Sequence, residues 1–231
     1  MTTATLVEYT DLAPGIRHFV FAVPGVEKLD FLPGQFASLV ATVNGKEITR
    51  AYSLAAAPRG GNEFEICLNL VEDGVFSPYL FGLRVGESIT LNGILGTFLW
   101  REPLMDAFLV ATGTGIVPFR AMLQDLFTRG TERQITLIYG TRYAENLLWM
   151  DEFQALEASH PNFHFVPTVT RPETDWTGAS GRVQPLLLDA IGDRRDVQVY
   201  VCGLKEMVDS VRALCKERDF PRRQVIYEKY D

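Results

Sequence analysis

Ala111-Thr112-Gly113-Thr114-Gly115-Ile116-Val117-Pro118 is the stretch whose reading decides the fold, because a glycine-rich turn stands there between an apolar strand and a helix. Backbone N–H groups are bare at such a junction, and a phosphate can use them. Read alone, the motif fits a plain tight turn as well as a phosphate cradle. Outward from it, strand candidates at 107–112, 135–140, 163–169, 197–202 and 224–228 alternate with helical stretches at 116–129, 149–159, 183–192 and 205–218. That alternation predicts βαβ units and a doubly wound, five-stranded parallel sheet.

Before this region the rhythm differs. From Met1 to about Trp100, short β-branched and aromatic segments are divided by Pro14-Gly15, Pro33-Gly34, Asn44-Gly45 and Asn92-Gly93. Short strands with glycine-rich turns read as a barrel or sandwich. Asn44-Gly45 is the sharpest local signal: both residues tolerate the positive φ of a type I′ turn, so 36–42 should pair with 48–54. Two domains follow, residues 1–100 and 106–231, with a linker at Trp100-Arg101-Glu102-Pro103-Leu104 where a proline interrupts the apolar pattern.

In a doubly wound sheet, ligands lie beyond the carboxyl ends of the strands. The second strand ends in Gly140-Thr141-Arg142, where a site for NAD often carries an acidic residue against the ribose 2′-hydroxyl. Arg142 favours a 2′-phosphate instead. With Thr170-Arg171 and Gly181-Arg182, three guanidiniums are placed to converge on one dianion, each able to pair bidentately with phosphate oxygens. Solvated surface arginines are the plainer alternative, and the shared placement beyond strand ends favours NADP. Cys202, in Val201-Cys202-Gly203 at the end of the fourth strand, reads alone as an inert core residue. Its place at a strand end keeps it a candidate for packing beside a nicotinamide.

In the β-rich half, Arg50-Ala51-Tyr52-Ser53 puts Arg50 and Tyr52 on one face of a strand and Ser53 on the other. A cation beside an aromatic face suits a diphosphate joined to a flat ring; an ordinary outward arginine is the alternative. Gly74-Val75-Phe76-Ser77 then runs into Pro78-Tyr79-Leu80 as a loop into a short helix, with Ser77 expected at the N-cap and Pro78 at the first helical position.

The bulk numbers bound the possibilities. The 231 residues, 47% hydrophobic, suffice for two modest cores, and a net charge of −7 argues against general nucleic-acid binding. No run reaches the roughly 18 apolar residues of a membrane helix, and the N-terminus lacks the features of a secretory signal, so the expected compartment is the cytoplasm. Cys67, Cys202 and Cys215 form no C-x-x-C pair, so no disulfide framework and no metal site is expected. His18, His160 and His164 have no metal or triad context and read as core or surface residues. Arg101, Arg120, Arg222 and Arg223 read as scattered rather than as a docking patch.

Taken in order, Arg50-Ala51-Tyr52-Ser53, Gly74 to Ser77, Gly113-Thr114-Gly115-Ile116-Val117-Pro118, Val201-Cys202-Gly203 and Tyr227-Glu228-Lys229-Tyr230 resemble the ferredoxin–NADP(+) reductase family over essentially the whole chain. Arg142, Thr170-Arg171 and Arg182 resemble its bacterial type. The resemblance implies an antiparallel six-stranded Greek-key β-barrel binding FAD and a parallel-sheet domain binding NADP(H), the two cofactors meeting between the domains. It implies that Arg50 contacts the FAD diphosphate with Ala51 beside it, that Tyr52 stacks on the isoalloxazine, and that Ser53 lies near flavin N5. Leu68, Leu70, Val71, Val75 and Phe76 would line the flavin site, and Ser77 would serve the diphosphate through its helix start. Thr114 would stand between the cofactors, and Tyr230 would cover the flavin face opposite Tyr52. Gly113, Thr114, Gly115, Arg142, Thr170, Arg171, Arg182, Cys202, Gly203 and Met207 would hold NADP(H), with Ser53, Cys202, Glu228 and Tyr230 as the catalytic set.

The activity implied is electron passage between NADP(H) and a one-electron carrier, ferredoxin or flavodoxin, by a monomer, a dimer being the alternative. A free-flavin reductase, the reductase component of an oxygenase, and a flavin-binding electron-transfer or regulatory module without turnover are the rivals.

Overall fold

The computed structural model describes residues Met1–Tyr230; Asp231 lies outside them. The first six strands are β1 (Thr2–Ala13), β2 (Ile16–Ala22), β3 (Phe36–Val43), β4 (Lys46–Ser53), β5 (Glu63–Asn69) and β6 (Ser88–Leu95), with α1 (Phe76–Gly82) between the last two. They form one antiparallel sheet in the order β4-β3-β6-β1-β2-β5. A bridge between Leu54 and Ile66 joins its two outer strands and closes the barrel, which removes the open edges a flat sheet would expose. Asn44 and Gly45 take φ of 52° and 73°, and the hairpin around them runs from Val43–Lys46 to Phe36–Ser53 in unbroken register.

The barrel fills because alternate residues point inward. Phe19 and Phe21 from β2, Leu39 from β3, and Phe64 and Ile66 from β5 are buried with Phe76 and Leu80, one helical turn apart on α1. The Phe21 and Phe64 rings stack at 5.5 Å. Each such side chain contributes about 1.5–3 kcal/mol by leaving water.

The second sheet is parallel. Its strands are β7 (Asp106–Thr112), β8 (Ile135–Thr141), β9 (Phe163–Val169), β10 (Ala179–Ser180), β11 (Val197–Leu204) and β12 (Val225–Tyr230), in the order β10-β9-β8-β7-β11-β12. A 3₁₀ turn (Gly113–Ile116) follows β7 and leads into α2 (Val117–Arg129); α3 (Met150–Ser159), α4 (Val183–Ile191) and α5 (Lys205–Glu217) complete the helices. Val183, Leu187 and Ile191 of α4, and Met207, Val208, Val211 and Cys215 of α5, are spaced for one buried helix face and pack with Val110, Val199 and Val201. The sheet therefore has six strands rather than the five expected. The sixth, β10, is two residues in the polar run Thr177-Gly178-Ala179-Ser180, too short to leave an apolar signal.

The chain divides into two compact units: residues 1–99 with 117–129, and residues 100–116 with the chain from 130 onward. Within the second, Tyr200 on β11 accepts a hydrogen bond from the Arg101 N–H at 2.7 Å, and Gln198 donates to the carbonyls of Arg101 and Pro103 at 3.2 Å each. Those bonds pin residues 101–103 to β11. Within the first, Arg120 of α2 donates to the Ala55 carbonyl at 2.8 Å, and Gln124 accepts from the Ala57 N–H at 3.1 Å. No helix among the described residues is long and apolar enough to cross a membrane.

Candidate active site

In the first unit, β4 carries Arg50, Ala51, Tyr52 and Ser53 opposite Leu39, Ser38, Ala37 and Phe36 of β3. Arg50 and Ala51 are exposed, Tyr52 is half-buried and Ser53 is buried. The Arg50 guanidinium donates to the Thr49 carbonyl at 2.8 Å and meets no carboxylate among the described residues. Tyr52 packs on Phe76 at 6.0 Å with the rings 30° apart, and burial pushes its phenol up to about 12 against the opposing charge of Arg50. It stays neutral.

The loop after β5 comes to the same neighbourhood through Phe76. Leu68 and Phe76 are buried and Leu70 is half-buried, whereas Val71 and Val75 are 58% and 44% exposed. A Cβ on Gly74 would stand 2.9 Å from the Val71 carbonyl oxygen, so the loop doubles back too tightly for a side chain there. Ser77 corrects an expectation. The helix begins at Phe76 with Val75 as its uncapped N-cap residue, and the Ser77 hydroxyl instead accepts from the Val71 N–H at 3.0 Å. Val75 takes the boundary position because Ser77, two residues further on, is already drawn inward to close the loop. An unpaired guanidinium, a half-buried ring and an exposed aliphatic rim fit a ligand that joins a flat ring to a diphosphate.

In the second unit, the Gly113-Thr114-Gly115 turn lies against β11. A Cβ on Gly115 would fall 2.2 Å from the Cys202 carbonyl oxygen, so no side chain is admissible there. Gly203 has φ of +144°, and a Cβ on it would meet the Thr112 hydroxyl at 2.4 Å and the Met207 methyl at 3.0 Å. That Thr112 hydroxyl is buried with no hydrogen-bond partner among the described residues, a condition native proteins rarely leave unexplained. Cys202 pairs with Glu228, and Leu204 with Tyr230, in the β11–β12 register. Cys202 is fully buried; burial first, then the nearby Glu228 charge, push its thiol up, while a hydrogen bond with Tyr230 opposes them. Glu228 lies inside β12 as the range 224–228 implied, and Tyr230 lies inside it too, since that strand runs two residues further.

The arginines assemble through the backbone. The Thr170 N–H donates to the Thr141 carbonyl at 3.1 Å, the Arg171 N–H to the Arg142 carbonyl at 2.9 Å, and the Gly181 N–H to the Val169 carbonyl at 2.8 Å. The β8, β9 and β10 ends are thus zipped side by side, with Arg182 at the N-cap position of α4. Among the described residues no carboxylate pairs with Arg142, Arg171 or Arg182. A tight glycine turn and three guanidiniums that meet no carboxylate among the described residues fit a phosphorylated dinucleotide.

A second charged cluster escapes the sequence reading. Glu65, 7% exposed, takes His18 Nε2 at 3.0 Å, Arg120 at 3.1 Å and Arg59 at 3.0 Å. Burial alone would raise its carboxyl, but the hydrogen bond and charge of His18, then Arg120 and Arg59, outweigh it and hold Glu65 at about 2. Arg120 is therefore an internal ion, outside any surface patch. A lone acid in Phe64-Glu65-Ile66-Cys67-Leu68 was the available signal. A cavity of about 230 Å³ opens beside Arg59 and Glu65, lined also by Phe31, Ala57 and Asn62, and none of the predicted site residues borders it. No three His, Cys, Asp or Glu among the described residues are grouped to hold a metal.

Residues 3–100 match the oxidoreductase FAD-binding domain family and residues 109–213 the oxidoreductase NAD-binding domain family. The chain is 34% identical to ferredoxin–NADP reductase B of Sorangium cellulosum (strain So ce56), covering 99% of this chain and 97% of that protein. It is 33% identical to the toluate 1,2-dioxygenase electron transfer component of Pseudomonas putida, over 89% of this chain but 60% of that protein. Among solved structures, a ferredoxin NADP+ reductase from Neisseria gonorrhoeae with bound FAD and NADP superposes with a TM-score of 0.85 at 25% identity, covering 99% of this chain and 98% of that one.

Proposed function

The chain belongs to the ferredoxin–NADP(+) reductase family of flavoenzyme oxidoreductases, and from that premise we propose that it passes electrons between NADP(H) and a one-electron carrier, ferredoxin or flavodoxin. In this reading residues 1–100 bind FAD and residues 106–231 bind NADP(H). The observation that carries the choice of NADP(H) is the row of Arg142, Arg171 and Arg182 on adjacent strand ends, with no carboxylate among the described residues to neutralise them.

When bound, the two cofactors supply hydride exchange and then single-electron steps. The chain's part is binding and orientation. Arg50 would neutralise the flavin diphosphate, and the neutral ring of Tyr52 with Val71 and Val75 would give the isoalloxazine an apolar bed. Ser53 would help orient the flavin near N5. Gly113 and Thr114 would offer bare backbone to the coenzyme, and Gly115 and Gly203 would help hold it by letting that turn close against β11. Cys202 would remain a neutral thiol beside the nicotinamide, Glu228 would serve the proton balance, and Tyr230 would have to move aside for the nicotinamide.

A purified protein that is yellow with one FAD per chain, is reduced by NADPH in the stopped-flow spectrometer and is reoxidised by ferredoxin or flavodoxin meets this reading. A colourless chain that turns over added flavin would make it a free-flavin reductase. The similarity to the toluate dioxygenase component favours a second reading, a reductase serving an oxygenase. Reoxidation by an oxygenase-type carrier alone would select it.

A further inference from the structure

We infer that Tyr143 is a positioning residue for the coenzyme's 2′-phosphate, fixing the Arg171 guanidinium before the coenzyme arrives; this rests on the NADP(H) reading above. Arg171 Nη1 donates to the Tyr143 hydroxyl at 3.1 Å. Among the described residues, the side chains of Arg142 and Arg182 have no such tether.

Tyr143 is a fixed post. Its backbone is extended, at φ −128° and ψ 155°. Its carbonyl accepts from the Thr141 hydroxyl at 2.7 Å and from the Asn146 N–H at 3.2 Å. The ring is half-buried, whereas Arg171 is exposed. An exposed arginine ordinarily samples many rotamers, and immobilising it on a ligand costs affinity. A phenol oxygen is a suitable anchor because it accepts a hydrogen bond without neutralising the guanidinium. Arg171 therefore keeps its charge and its remaining N–H groups for phosphate oxygens. A carboxylate in the same place would hold the side chain equally well and cancel the charge that the phosphate seeks.

The test is calorimetric titration of the FAD-loaded protein with 2′,5′-ADP and with 5′-ADP. Tyr143→Phe keeps the ring and the backbone bonds and removes only the acceptor. It should weaken 2′,5′-ADP binding about three- to tenfold, the scale of one lost hydrogen bond. The affinity for 5′-ADP, which lacks the 2′-phosphate, should move by less than about twofold. In an Arg171→Ala background the same substitution should cost nothing further, since Tyr143 acts through Arg171. An unchanged 2′,5′-ADP affinity in Tyr143→Phe, or an equal loss with and without Arg171, would overturn the inference while leaving the NADP(H) reading intact. A wild-type protein that binds 2′,5′-ADP no tighter than 5′-ADP would overturn that reading and this inference with it.

Discussion

Two clusters of basic side chains in this molecule have opposite fates. Around Glu65, His18, Arg59 and Arg120 converge on one buried carboxylate, and the charges are settled within the first unit. Along the strand ends of the second unit, Arg142, Arg171 and Arg182 stand together with no carboxylate among the described residues. The difference separates structure from function. A cation cluster closed by its own acid fastens elements of the fold, whereas one left open retains its charge for a ligand.

Breaking the closed cluster should give the largest effect. Glu65→Ala removes the buried carboxylate shared by His18, Arg59 and Arg120, and should lower unfolding free energy by about 3–5 kcal/mol in a urea titration. A loss under about 1 kcal/mol would mean that the cluster does not fasten the unit. Next in size, Gly115→Ala forces a methyl group into the Cys202 carbonyl; overpacking of that kind should cost about 1–3 kcal/mol, read by the same titration, and should abolish tight 2′,5′-ADP binding.

The open cluster should respond in the other currency. Arg142→Ala or Arg182→Ala should raise the KM for NADPH about 10- to 100-fold, the scale of one charged hydrogen bond to phosphate, and shift the melting curve hardly at all. Steady-state kinetics beside a thermal melt reads both quantities.

Acid should also discriminate. Because Glu65 is held at about 2 against an ordinary 4.5, its contribution is complete above 4.5 and is lost as the pH falls toward 2. Stability of the wild type should fall more steeply across that window than that of Glu65→Gln. Parallel curves would contradict the assignment. The smallest effect belongs to Arg59, whose side chain is 69% exposed: Arg59→Ala should cost less than about 1 kcal/mol.

Much of this was legible in the residues. Asn44-Gly45 fixed a hairpin register because only residues tolerant of positive φ make that turn. The alternation after Asp106 fixed a parallel sheet, and the strand-end rule put three arginines on one edge. What escaped was what long-range geometry decides. Ser77 reads as a cap from its neighbours Phe76 and Pro78, yet its hydroxyl is taken by Val71 across the loop. The partners of Glu65 lie 47, 6 and 55 positions away in sequence, at His18, Arg59 and Arg120, so no local pattern announces them. Tyr143 gives no sign of its task, because its partner Arg171 is 28 residues distant and on another strand end. β10 was too short to see.

The central claim is that the open arginine row selects a phosphorylated coenzyme. Stopped-flow reduction of the bound flavin by NADPH and by NADH tests it most directly. NADPH should be favoured in kcat/KM by at least about 100-fold, and replacing Arg142, Arg171 and Arg182 together by alanine should remove most of that advantage. Equal reduction by the two coenzymes in the wild type, or a preference for NADH, would contradict it.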